Sequence, residues 1–109
     1  MKINCKQTFK NLKNEDIQIV DGNDQTKKEI LMLGNVIAEI LLQPHKEKKG
    51  FRPLKSWELA QRFYKDKEVE IDQADFIQLK EIVEENENYN TIIIAQTLVY
   101  FNQAEQSKK

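Results

Sequence analysis

Two side chains that most often perform chemistry, cysteine and histidine, occur once each, as Cys5 and His45. One of each cannot assemble a Cys/His zinc site or an HExxH pair. No GxxxxGK[ST] or GxGxxG run offers a loop of backbone amides for a phosphate. Asp21-Gly22-Asn23-Asp24 resembles a fragment of a calcium loop, but it lacks the alternating oxygen ligands and the closing glutamate such a loop needs. A carboxylate pair could still be brought together by folding, yet nothing in the spacing selects one. The expectation is therefore a protein that is not an enzyme, with no metal and no cofactor.

What remains is charge and aromatic surface. The 17 Lys and Arg nearly balance the 18 Asp and Glu, which disfavours a dedicated wrapper of nucleic acid or anionic membrane. The distribution is uneven, however. Residues 44–55 sum to +4, and residues 66–87 sum to −7. Solvated loops and outer helix faces explain both runs most simply. Two functional readings compete with that one. In the first, Glu81, Glu84, Glu85 and Glu87 form an acidic face that docks on another protein with a basic surface. In the second, ranked lower, Lys46, Lys48, Lys49 and Arg52 beside Phe51 form a phosphate-contacting loop for nucleic acid, with one stacking ring.

The aromatics divide similarly. Trp57, Phe63 and Tyr64 recur at helical spacing and are expected in the core rather than in a ligand patch. The last helix is apolar almost all round from Ile92 to Ala95, so it is either sandwiched in the core or pressed on another chain. In the latter case Tyr89, Ile93 and Tyr100 would mediate homo-oligomerisation. Cys5, in an alternating segment, reads as a small core residue.

These side chains must be positioned by a recognisable series of elements. Ile3, Cys5 and Phe9 alternate with polar neighbours, as do Ile17 and Ile19. Lys13-Asn14-Glu15-Asp16 supplies a turn between them, so a β-hairpin is expected over about residues 2–10 and 16–21. Thr26-Lys27-Lys28-Glu29 has the form of a capping box. Leu33, Val36, Ile37, Ile40 and Leu41 continue at helical spacing until Pro44, which predicts a central helix over about 27–43. Pro53 opens a second helix, 53–66. Val69 and Ile71 alternate with glutamates as a short edge strand, 68–71, that could join the hairpin. Asp72 caps a third helix, 73–86, and Asn90 a fourth, 90–104. The class is α+β with helix dominant, a single domain over 1–104 and a frayed polar tail, 105–109. Residues 1–7 hold no apolar run of signal-peptide length, and no stretch is long enough to span a bilayer, so a cytosolic location away from membranes is expected.

Four patterns along these helices resemble a loose set of small proteins encoded by bacteriophages and prophages. They are L-G-x-x-x-A at Leu33, Gly34 and Ala38, and W-E-L-A-x-x-x-Y at Trp57, Glu58, Leu59, Ala60 and Tyr64. I-D-x-x-D-x-x-x-L-K follows at Ile71, Asp72, Asp75, Leu79 and Lys80, and A-Q-x-L at Ala95, Gln96 and Leu98. The Lys-rich stretch from Lys46 to Lys49 departs from the pattern. The resemblance implies a mobile-element accessory protein in the host bacterial cytosol and carries over no catalytic residue. The expected function is protein–protein binding, in its most concrete form inhibition of a host defence system in the manner of anti-CRISPR proteins. A virion-assembly component that self-associates through the last helix is the alternative. A nucleic-acid accessory factor using residues 45–55 is the third.

Overall fold

In the computed structural model, residues 1–20, 28–43 and 53–106 are described. The chain is α+β. Its elements are β1 (Lys2–Asn4), β2 (Gln18–Val20), β3 (Lys28–Ile30), α1 (Leu33–Leu42), α2 (Pro53–Lys65), β4 (Glu68–Glu70), α3 (Gln73–Glu85) and α4 (Thr91–Gln106). The strands form two antiparallel pairs, β1 with β4 and β2 with β3.

β1 and β4 each turn one residue inward. Ile3 lies opposite Val69, and both are buried while their neighbours are exposed. Main-chain bonds extend the pair at both ends, from Cys5 N to Lys67 O and from Ile71 N to Met1 O, each 2.9 Å. The expected edge strand is therefore present, but its partner is the first strand alone. The expected hairpin is real only at its tip. Ile17 N donates to Phe9 O at 2.8 Å and Asn11 N to Glu15 O at 2.9 Å, with a bridge at Lys10 and Asp16. Asn14 takes the turn's left-handed position with φ 64°, and Asn11 Oδ1 accepts from Lys13 N at 2.9 Å and Glu15 N at 3.0 Å. Beyond the tip the arms part, one to β4 and the other to β3.

The first helix begins later than its sequence suggests. Residues 28–30, read as helix, are strand β3, in register with β2 from Gln18↔Ile30 to Val20↔Lys28. Thr26 and Lys27 lie outside the described residues. At the true start Met32 offers no side-chain cap. Main-chain carbonyls from the segment after β1 satisfy the helix amides instead, with Leu33 N donating to Gln7 O at 2.8 Å and Gly34 N to Cys5 O at 3.0 Å. With those orphan donors met by tertiary contact, no capping box is needed there.

α1 is the centre of the core, burying Leu33, Gly34, Val36, Ile37, Ala38, Ile40 and Leu41. It packs most extensively on α2, which buries Ser56, Leu59, Ala60 and Phe63. The approach is close at Gly34, where an added Cβ would stand 2.3 Å from Phe63 O and 2.8 Å from Cys5 Cβ. α3 starts on Asp72, whose carboxylate accepts from Asp75 N at 2.8 Å, and α4 on Asn90, which accepts from Ile93 N at 3.2 Å. These two caps stand where the sequence puts them. Phe76 of α3 meets Phe101 of α4 edge to face, with centroids 5.4 Å apart. α4 also holds the N-terminal loop. Gln96 accepts from Lys10 N at 2.9 Å and donates to Lys10 O at 2.6 Å, and the Tyr100 hydroxyl donates to Thr8 O.

Candidate partner-binding surfaces

Three surfaces bear on function: the corner between α3 and α4, the outer face of α2, and a groove between α2, β4 and the start of α3. The α3–α4 corner contains the acidic residues singled out from sequence. Glu81, Glu84, Glu85 and Glu87 all have exposed side chains. Glu84, Glu85, Asn86 and Glu87 line a shallow depression of about 360 Å³. Asn86, between Glu85 and Glu87, and Asn88, after Glu87, both bond back to Gln43 at the end of α1. Asn86 Nδ2 donates to Gln43 Oε1 at 2.8 Å, and Asn88 Nδ2 donates to the same oxygen at 3.0 Å. Asn86 Oδ1 in turn accepts from Asn88 N at 3.1 Å and Tyr89 N at 3.0 Å. These amides tie the loop to the end of α1, and Glu84, Glu85 and Glu87 at this corner are exposed residues.

The position of these acids opposes local helix stability. α3 has no basic residue in its last turn, where the unpaired carbonyls give the helix end a partial negative charge. Folding alone favours Lys or Arg there. Carboxylates at this end each cost about 0.3–1 kcal/mol relative to a neutral end. The negative potential is consequently concentrated, because the backbone contributes the same sign.

The three residues read as a self-association patch are engaged within the chain. Ile93 is buried. Tyr89 is half-buried, and its hydroxyl donates to Glu39 Oε2. Burial first, and the Glu39 carboxylate second, push the Tyr89 phenol well above its ordinary range. Tyr100 packs edge-on against Phe9 at 5.9 Å and spends its hydroxyl on Thr8. The wide apolar stripe of α4 is explained by packing: Ile93, Thr97 and Phe101 are buried, and Ile92, Ile94 and Leu98 close in from both sides.

Lys46, Lys48, Lys49, Phe51 and Arg52 lie outside the described residues. Lys55, at the end of that basic run, pairs with Asp75 at 2.9 Å.

The outer face of α2 corrects an expectation. Phe63 is buried as expected, but Trp57 is 51% exposed and Tyr64 66%. Leu54, one turn before Trp57, is 69% exposed. Periodicity gives the spacing of a stripe but leaves its facing undetermined, and α2 turns inward the stripe of smaller residues. On its other flank α2 borders a groove of about 280 Å³ lined by Lys55, Glu58, Arg62, Glu70, Asp72 and Asp75, among others. Arg62 donates across it to Glu70 O at 3.2 Å. Lys55 and Asp75 form an ion pair there, and the Asp72 carboxylate is the α3 cap.

Cys5 is buried. Desolvation, reinforced by the Asp66 charge, pushes its thiol up to about 11, which keeps it protonated and unreactive at neutral pH. Among the described residues no group of three or more His, Cys, Asp or Glu could hold a metal ion. Nor is any helix among them long and apolar enough to cross a membrane.

In comparison with known proteins, no family model, curated protein or solved structure matches the chain.

Proposed function

We propose that this chain is a non-catalytic accessory protein of a phage or other mobile element, working in the bacterial cytosol by binding a protein with a basic surface. Its most concrete form is an inhibitor that occupies a basic groove of a host defence system. The supporting observation is the α3–α4 corner, where Asn86 and Asn88, bonded to Gln43, order a loop of exposed glutamates at the helix end least favourable to them. A loop already ordered by Asn86 and Asn88 loses little freedom on docking. Concentrated negative potential speeds encounter with a cationic partner and fixes its orientation. Self-association through the last helix is less well supported, because Tyr89, Ile93 and Tyr100 are engaged internally.

The test is capture of a partner from the natural host by the immobilised protein. A variant reversing Glu81, Glu84, Glu85 and Glu87 to Lys should lose the partner while its circular dichroism is unchanged and its melting temperature is no lower than the parent's. Equal capture by the parent and a folded variant would remove the acidic corner as the site.

A further inference from the structure

Helix α2 carries two lengthwise stripes. Ser56, Leu59, Ala60 and Phe63 face the core. Leu54, Trp57, Gln61 and Tyr64 recur at i, i+3, i+7 and i+10 and face solvent. Along one edge of the outer stripe runs a charged row, Glu58, Arg62 and Lys65, all exposed. A helix face with this much apolar and aromatic surface, bordered by charge, has the composition of an interface.

The order of residues on this face complements itself. We propose that the outer stripe of α2 is a self-association surface, on which a second copy docks with its own α2 antiparallel about a two-fold axis beside Gln61. In that register Trp57 of one copy lies level with Tyr64 of the other, because the two residues stand equally far on either side of the axis. A two-fold axis of this kind also brings the same edge of each helix together. At 1.5 Å per residue, Glu58 then lies within about 1.5 Å along the axis of Arg62 of the second copy and about 3 Å of its Lys65. The like charges are further apart. The two Arg62 residues are offset by about 4.5 Å and the two Glu58 residues by about 7.5 Å. Each opposite-charge contact occurs twice by symmetry. A parallel two-fold arrangement would instead set each charged row against the opposite edge of the other helix, and none of these opposite-charge pairs would form.

The occupant is therefore a second copy of this chain, and the contact is separate from the acidic corner of α3. Three helical turns cover less than the roughly 1,200 Å² of a standard interface, the size class of weak, transient contacts.

Trp57 is the only tryptophan, so its emission reports the contact directly. Sedimentation and Trp57 emission are followed from about 1 µM to about 1 mM. The expected result is a monomer–dimer equilibrium with a blue shift of Trp57 that follows the dimer fraction. Glu58→Lys alone, or Arg62→Glu with Lys65→Glu, sets like charges against each other and should weaken self-association at least about tenfold. An equimolar mixture of those two folded variants should form a heterodimer tighter than either homodimer. A wild-type chain that remains monomeric throughout the range overturns the proposal. So does a mixture that associates no better than its components, or a dimer that survives Trp57→Ala with Tyr64→Ala unchanged.

Discussion

Replacing Gly34 by alanine sets two effects of opposite sign against each other. Gly34 lies inside α1, where alanine is favoured over glycine by at most about 1 kcal/mol. Propensity alone therefore predicts a more stable protein. Against this, the new Cβ would stand 2.3 Å from Phe63 O and 2.8 Å from Cys5 Cβ, with Cys5 O at 3.3 Å. Ordinary contact for such atoms begins near about 3.5 Å. None of the three obstructing atoms can be cleared by a side-chain rotation. Two are main-chain oxygens, and the third is a Cβ fixed to its own backbone. Relief requires α1 to move away from the end of α2 and from the segment after β1, which would also stretch the Gly34 N to Cys5 O bond of 3.0 Å. Overpacking of this kind costs about 1–3 kcal/mol, and rigid surroundings place it at the upper end. The net expectation is destabilisation by about 2 kcal/mol, or a melting temperature lower by roughly 8–16 °C. Urea unfolding of Gly34→Ala beside Asn35→Ala measures it, since the neighbouring variant shares the helix but not the clash. A Gly34→Ala protein as stable as the parent, or more stable, would refute the close approach on which the α1–α2 packing rests.

Three further outcomes are expected. The Cys5 thiol is raised from its ordinary 9.0 to about 11 in the folded chain. Its contribution to stability is therefore complete below about 9 and declines, by about 1.4 kcal/mol per pH unit, as pH rises towards about 11. Urea titrations across that window should show a shallower alkaline loss for Cys5→Ala than for the parent, and parallel curves would contradict the burial. Asn86→Ala removes the bonds to Gln43 Oε1, Asn88 N and Tyr89 N and should cost about 1–3 kcal/mol in chemical unfolding. Glu84→Lys places a cation at the C-terminal end of α3 and should raise stability by about 0.3–1 kcal/mol while weakening partner capture. A variant stabilised with capture intact would show the carboxylate to be incidental.

The helices and their caps were legible because the signals are local. Asp72, Asn90, Pro53 and the Asn14 turn act within a few residues of themselves, and the structure places each where its chemistry suggests. The pairing of strands was less legible. β1 meets β4 across most of the chain, and three-residue strands with one inward side chain each carry too little pattern to name a partner. The start of α1 was misread for a related reason. Its amides are satisfied by Cys5 O and Gln7 O, and no local rule announces a cap that arrives from another segment. The acidic corner was legible as composition but not as a built feature, because the hydrogen bonds that order it run from Asn86 and Asn88 to Gln43, distant in sequence.

The facing of α2 follows from size more than from hydrophobicity. Judged by apolar area, Leu54, Trp57 and Tyr64 should be inside, and the stripe containing Ser56 and Ala60 outside. The reverse arrangement even buries the Ser56 hydroxyl without a hydrogen-bond partner, at a cost of about 1–3 kcal/mol. What offsets it is proximity. Gly34 and Ala38 on α1, with Ser56 and Ala60 on α2, are all buried, and small residues let two backbones approach until Gly34 has no room for a Cβ. A tryptophan in place of Ser56 or Ala60 would force buried bulk into α2's inner face and disrupt its packing on α1. Leu54, Trp57 and Tyr64 are therefore kept off the core by the same closeness that stabilises it. They remain on the surface, where a second α2 offers them the burial that the chain's own core does not.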